Sequence, residues 1–167
     1  TDLTGFLGNG LVQYAEIVEF QNELYFMADD GVHGIELYAT DGTSGGTRLV
    51  KDINPGSGSS TGGNLGWTAI LGDMLYFAAT NDTDGMELWR TDGTEAGTQM
   101  VCDLAPGSGD SYPSYLVTLN DRILFCAADV ANNYSLWSTD GTSTDMVVPQ
   151  FCYNLTVVSG PAGQPGS

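Results

Sequence analysis

The sequence predicts an all-β domain built from three four-stranded repeats of about 50 residues each. Three observations carry that expectation. Gly 23 and Pro 6 in 167 residues put a turn-former at about every sixth position, which leaves little room for long helices. Apolar residues arrive in short runs between Asp, Asn, Gly and Ser clusters, the pattern of strands and turns. And one eight-residue segment is written three times. Its copies are Glu36-Leu37-Tyr38-Ala39-Thr40-Asp41-Gly42-Thr43, Glu87-Leu88-Trp89-Arg90-Thr91-Asp92-Gly93-Thr94 and Ser135-Leu136-Trp137-Ser138-Thr139-Asp140-Gly141-Thr142.

The copies keep register. Asp41 and Asp92 are 51 residues apart, and Asp92 and Asp140 are 48 apart. Leu24-Tyr25-Phe26 returns as Leu75-Tyr76-Phe77 and as Ile123-Leu124-Phe125, and Pro55-Gly56-Ser57-Gly58 returns as Pro106-Gly107-Ser108-Gly109. The three residues missing from the last spacing fall between Pro106 and Asp121, a Gly/Ser/Pro-rich connection where loop length matters little.

Each unit resolves into four segments. The first alternates large and small apolar residues, as in Trp67-x-Ala69-x-Leu71 and Tyr115-x-Val117-x-Leu119. A two-residue polar turn follows at Gln21-Asn22, Gly72-Asp73 or Asn120-Asp121, the length of a tight hairpin. The second segment is the Leu-Tyr-Phe run, apolar on both faces and therefore expected to be central. The third is Glu-Leu-Trp, entered through a loop rich in Asp, Asn and Gly. The fourth, expected over Thr47 to Ile53 and Thr98 to Leu104, is reached through Asp-Gly-Thr. Four strands per unit with aromatics at fixed positions predict a β-propeller-like blade; a β-trefoil, closed from three units, meets the same count and length.

The octets resemble the ELWxxDGT repeat, a tandem motif of large secreted or surface proteins, which implies propeller-like blades. The second unit, continued by Glu95-Ala96-Gly97-Thr98, carries the full pattern. The first has Tyr38 in place of Trp. The third has Ser135 in place of Glu and reads Ser143-Thr144-Asp145 where the second Gly-Thr would fall. The resemblance covers roughly residues 11–158, with units of about 11–57, 58–109 and 110–158, and it implies a structural role for Tyr38, Asp41, Gly42, Thr43, Trp89, Asp92, Gly93, Thr94, Trp137, Asp140, Gly141 and Thr142. It implies no reaction, since a fold is not a function. Residues 1–10 and the Gly/Pro-rich 159–167 read as an N-terminal arm and a tail.

Charge narrows the partners. Lys+Arg 4 against Asp+Glu 21 gives a net charge of −17, which excludes a nucleic-acid surface and argues against an anionic membrane. No apolar run reaches the roughly 18 residues of a membrane-spanning helix. The chain opens on Thr1 rather than Met, the expectation for a processed form or a segment of a longer chain. Cys102, Cys126 and Cys152 lack zinc-type spacing and allow either one disulfide, in any of three pairings, or three buried free thiols. Asn81, Asn133 and Asn154 begin Asn-x-Ser/Thr acceptors, so glycans enter as partners of an extracellular or cell-surface protein.

No catalytic set emerges. Asp41, Asp92 and Asp140 are calcium candidates, but one carboxylate per repeat without an Asp-x-Asp-x-Asp ladder favours a tight turn. Tyr38, Trp89 and Trp137 could stack on sugars; recurrence at one repeat position favours packing between units. Glu36 and Glu87 form a conceivable glycosidase pair, yet they are equivalent positions and the third unit has Ser135 there. His33, the single histidine, falls in a loop without a nucleophile motif. Three units leave two open sheet edges, which invite pairing with another chain. The expectation is therefore a non-enzymatic, secreted structural or adhesive module that self-associates through its edges and arms, with carbohydrate or calcium binding as the alternative.

Overall fold

The computed structural model describes residues 16–61 and 65–148. The expected arm and tail, Cys152 and Asn154 lie outside them. Twelve strands follow in order: β1 (Val18–Phe20), β2 (Glu23–Asp29), β3 (Ile35–Thr40), β4 (Arg48–Lys51), β5 (Ala69–Leu71), β6 (Met74–Asn81), β7 (Gly85–Thr91), β8 (Gln99–Cys102), β9 (Ser114–Leu119), β10 (Arg122–Ala128), β11 (Tyr134–Thr139) and β12 (Thr144–Val148). No helix occurs among the described residues. The strands form three separate four-stranded antiparallel meanders: β1–β4, β5–β8 and β9–β12. They do not share strands in a common barrel, so the closed β-trefoil is not the architecture of the described residues.

The repeat register is also the structural register. Phe20 pairs with Glu23, Leu71 with Met74 and Leu119 with Arg122, each across a two-residue turn. Gln21 and Asn22 both take positive φ, the requirement of the hairpin turn that matches strand twist. At the Leu-aromatic step of every octet the ladder to the fourth strand slips: between Leu37 and Tyr38, Leu88 and Trp89, and Leu136 and Trp137. The extra residue, Val50, Val101 or Val147, lies in the fourth strand, so a bulge at the same point bends that strand in each unit.

The Leu-Tyr-Phe strands are central, paired on both sides. Leu75 and Phe77 are fully buried toward the first sheet, while Tyr76 is buried toward the third. The first core joins Tyr25, Met27, Leu37 and Val50 to Leu75, Phe77 and Trp89, and the second joins Tyr76 and Leu88 to Ile123, Phe125 and Ala127. The middle sheet is thus covered on both faces by its neighbours. Its near-continuous apolar central strand follows from that double burial.

Two serines sew the stack together. The Ser60 amide donates to the Ile35 carbonyl of the first sheet at 2.9 Å, and the Ser60 carbonyl accepts the Thr80 amide of the second at 2.8 Å. Ser111, 51 residues on, repeats the stitch between Met86 and Ala128. The fourth strands are shorter than the sequence predicts, ending at Lys51 and Cys102, because side-chain carboxylates intercept the next backbone amides.

Candidate functional site

The Asp-Gly-Thr corners are closed turns. Asp92 Oδ1 accepts the Thr94 amide at 2.9 Å and the Thr94 hydroxyl at 2.7 Å. Asp41 does the same with Thr43, and Asp140 with Thr142, adding the Ser143 amide at 2.8 Å. These bonds hold the three carboxyls below the usual range: the Thr43 and Thr94 hydroxyls are the largest cause at Asp41 and Asp92, and the Ser143 amide at Asp140. Gly42, Gly93 and Gly141 turn the corner with φ of 90°, 90° and 88°, a region that disfavours side chains.

The rest of the motif completes the same corner. A Cβ at Gly97 would lie 1.9 Å from Asp92 Oδ1, which explains the second glycine. Thr98 donates from Oγ1 to the Thr94 carbonyl at 2.7 Å and meets Thr91 Oγ1 at 2.7 Å. The third unit lacks this Gly-Thr; there the Thr139 hydroxyl donates to the Ser143 carbonyl instead. Among the described residues no group of three or more metal-ligating side chains gathers.

Glu36 and Glu87 are fully buried and point at their own unit's exit. Glu36 accepts the Ile53 amide at 3.0 Å and the Asn54 amide at 3.1 Å; Glu87 accepts the Leu104 amide at 3.1 Å and the Ser111 hydroxyl at 2.6 Å. Burial raises both pKa values, partly offset by these donors. Each carboxylate serves a separate linker, so the structure does not assemble them as a pair.

The tryptophans of the second and third octets lie between sheets, whereas Tyr38 pairs with Phe26 on the outward face of the first sheet. Trp89 packs in the first core, and Trp137 packs against the second while donating Nε1–H to the Ala127 carbonyl at 3.1 Å. Tyr38 is buried and stacks on Phe26 with centroids 6.3 Å apart. His33 sits in a turn made by Asp30, whose carboxylate accepts the Val32 and His33 amides and meets His33 Nδ1 at 2.7 Å. The Asp30 bond raises the imidazole pKa. Asn81 Oδ1 accepts the Thr83 and Asp84 amides, and Asn133 bonds Asp129. Both acceptor asparagines therefore order their own loops. Cys126 is disulfide-bonded and Cys102 is free.

Several residues escaped the sequence reading. Three of the four cationic side chains reach into the following unit: Arg48 donates to the Gly93 carbonyl at 3.2 Å, Lys51 to the Thr98 carbonyl at 2.9 Å and Arg90 to the Gly141 carbonyl at 2.7 Å. At the first junction Asn54 and Asp82 exchange two bonds of 3.3 and 3.2 Å. The equivalent positions at the second junction are Ala105 and Val130, and there a cleft of about 400 Å³ opens beside Asp110, Tyr112, Asp129 and Asn132. The signal in the sequence is the repeat register itself, which sets Asn54 against Ala105 and Asp82 against Val130.

No family model matches the chain, nor does any curated protein. Among solved structures the chain is similar to a prolyl endopeptidase, from work on two such enzymes and the role of inter-domain dynamics in their catalysis and specificity. The TM-score is 0.52 at 14% identity, and the match covers 81% of this chain and 19% of the enzyme. At that identity the likeness bears on the fold alone. The chain spans about a fifth of the enzyme's length.

Proposed function

We propose that this chain is a non-enzymatic structural or adhesive module, secreted or displayed at the cell surface, whose ELWxxDGT-type units stack as propeller-like blades and self-associate. One observation carries the reading: the carboxylates of the motif are spent inside the fold, on backbone amides and hydroxyls of their own corner or of the adjoining linker. Asp41, Asp92 and Asp140 close turns, and Glu36 and Glu87 hold linkers. A catalytic carboxylate needs a face toward substrate. The disulfide at Cys126 supports an oxidising compartment. Sedimentation velocity across a wide concentration range tests the role: growth beyond 17.6 kDa supports it, and a monomer throughout contradicts it.

A second reading, carbohydrate binding, is favoured by the cleft at the second junction. Its Tyr112 ring is exposed beside Asp110 and Asp129, the mixture of aromatic face and acceptors that holds a pyranose. Glycan-array binding lost in Tyr112→Ala supports this reading, and a blank array sets it aside.

A further inference from the structure

The two outer faces of the stack are the separated halves of a contact that the chain makes twice internally. Leu75 and Phe77 are fully buried against the preceding sheet, and Ile123 and Phe125 likewise. Their equivalents in the first sheet are Leu24 and Phe26, and Leu24 is 41% exposed. In the middle sheet, Ala69, Leu71 and Val101 pack against the following unit. Their equivalents in the third sheet, Val117, Leu119 and Val147, are 46, 55 and 48% exposed. The outer face of the third sheet thus presents three apolar side chains, and that of the first presents Leu24 beside the buried Tyr38, at positions that are covered elsewhere in the same molecule.

The polar part of the contact is divided in the same way. A Cβ at Gly93 would meet Tyr25 Oη and Arg48, and one at Gly141 would meet Tyr76 Oη and Arg90; one at Gly42 would meet nothing within 4 Å. The fourth cation, Arg122, lies on the outward face of the third sheet, next to Leu119 in the ladder. It pairs with Asp145 at 3.0 Å, occupying with it the two repeat positions that Glu23 and Arg48 fill with the charges exchanged. Arg48 makes its ion pair and its bond to the next unit's glycine with one guanidinium. Arg122 is placed to do the same.

We propose that the outward face of the third sheet docks, head to tail, on the outward face of the first sheet of a second copy, with Arg122 donating to the second copy's Gly42 carbonyl. This rests on the self-associating reading above and locates it on sheet faces rather than edges, in continuity with the two interfaces inside the chain. Such a contact is heterologous, so copies close into a ring or extend as a filament. With −17 on each copy, repulsion opposes docking at low salt and is screened within about 10 Å at 0.1 M, so association strengthens as ionic strength rises.

Sedimentation velocity on the full chain at raised ionic strength, with Leu24→Lys and Leu119→Lys, is the test. Both positions are exposed enough for the fold to tolerate lysine, and lysine makes the net charge less negative, so lost association reports the face and not repulsion. The wild type should form species above monomer. Either variant alone should associate at least about tenfold more weakly, a factor that corresponds to ~1.4 kcal/mol. A mixture of the two should stop at a dimer, because one intact contact remains. Association unchanged in either variant overturns the docking and leaves self-association through another surface; a wild type that stays monomeric overturns both.

Discussion

Arg90 donates Nη1–H to the Gly141 carbonyl at 2.7 Å, across 51 residues of chain, and so fastens the middle sheet to the Asp-Gly-Thr corner of the next. Arg48 makes the same bond to Gly93 from a different position. Arg48 pairs with Ala39 in its own ladder, whereas Arg90 pairs with Gln99. The cation has moved to the opposite member of one cross-strand pair, and its target has stayed the same. What is kept between units is the bond to the corner, not the residue position that makes it.

Removing that bond should loosen the stack without altering its fold. Arg90→Ala is expected to lower stability by about 1.5–3 kcal/mol, the range for a hydrogen bond made by a charged group. Urea unfolding checks this: the midpoint should fall and the slope should stay constant.

Gly97 is small because the Asp92 carboxylate occupies the place of its Cβ. Gly97→Ala should cost about 1–3 kcal/mol through crowding. In an Asp92→Ala background the same change should cost less, since the crowding group is gone. A double-mutant cycle reads the coupling directly.

Burial raises the pKa of Glu87 above its unfolded value of 4.5. The folded chain then holds a proton that the unfolded chain releases, so this group's contribution is present below that value and is lost as pH rises through the folded pKa. Glu87→Gln stays neutral. Its melting temperature relative to wild type should therefore climb as pH rises from about 4 to 7. Asp30, Asp41, Asp92 and Asp140 act in the other direction: their pKa values are lowered, and their contribution disappears as pH falls below the usual carboxylate range. Thermal melts across pH should show both slopes in the wild type and only the acid limb's carboxylate loss retained in full in the variant.

Burial pushes the Cys102 thiol up to about 11. Cys102 occupies the repeat position of Lys51 and meets Thr144 of the next unit, as Lys51 meets Thr98. Iodoacetamide at neutral pH should leave Cys102 unmodified in the folded chain and modify it on unfolding. Cys126 should react only after reduction. Peptide mass spectrometry before and after each step distinguishes the two.

The sequence made the period, the two-residue hairpins and the central Leu-Tyr-Phe strands legible, because each is a local pattern copied three times. Fourth-strand lengths were less legible. Thr47 to Ile53 reads as one strand, but Glu36 captures the Ile53 and Asn54 amides from a distance of 17 and 18 residues. The disulfide at Cys126 was one of three pairings that composition left open. Arg48 and Arg90 escaped self-comparison because matching compares like positions, and these two share a target rather than a position. The cleft escaped for the converse reason: Ala105 and Val130 are unremarkable alone and matter only as replacements for Asn54 and Asp82.

The account stands on the Asp-Gly-Thr corner as a device of shape. Equilibrium urea unfolding of Asp41→Ala, Asp92→Ala and Asp140→Ala addresses it most directly. Each substitution should lower the unfolding midpoint, with Asp92→Ala losing about 1 kcal/mol, the worth of a side chain that caps backbone amides. Three midpoints indistinguishable from that of the wild type would contradict the account.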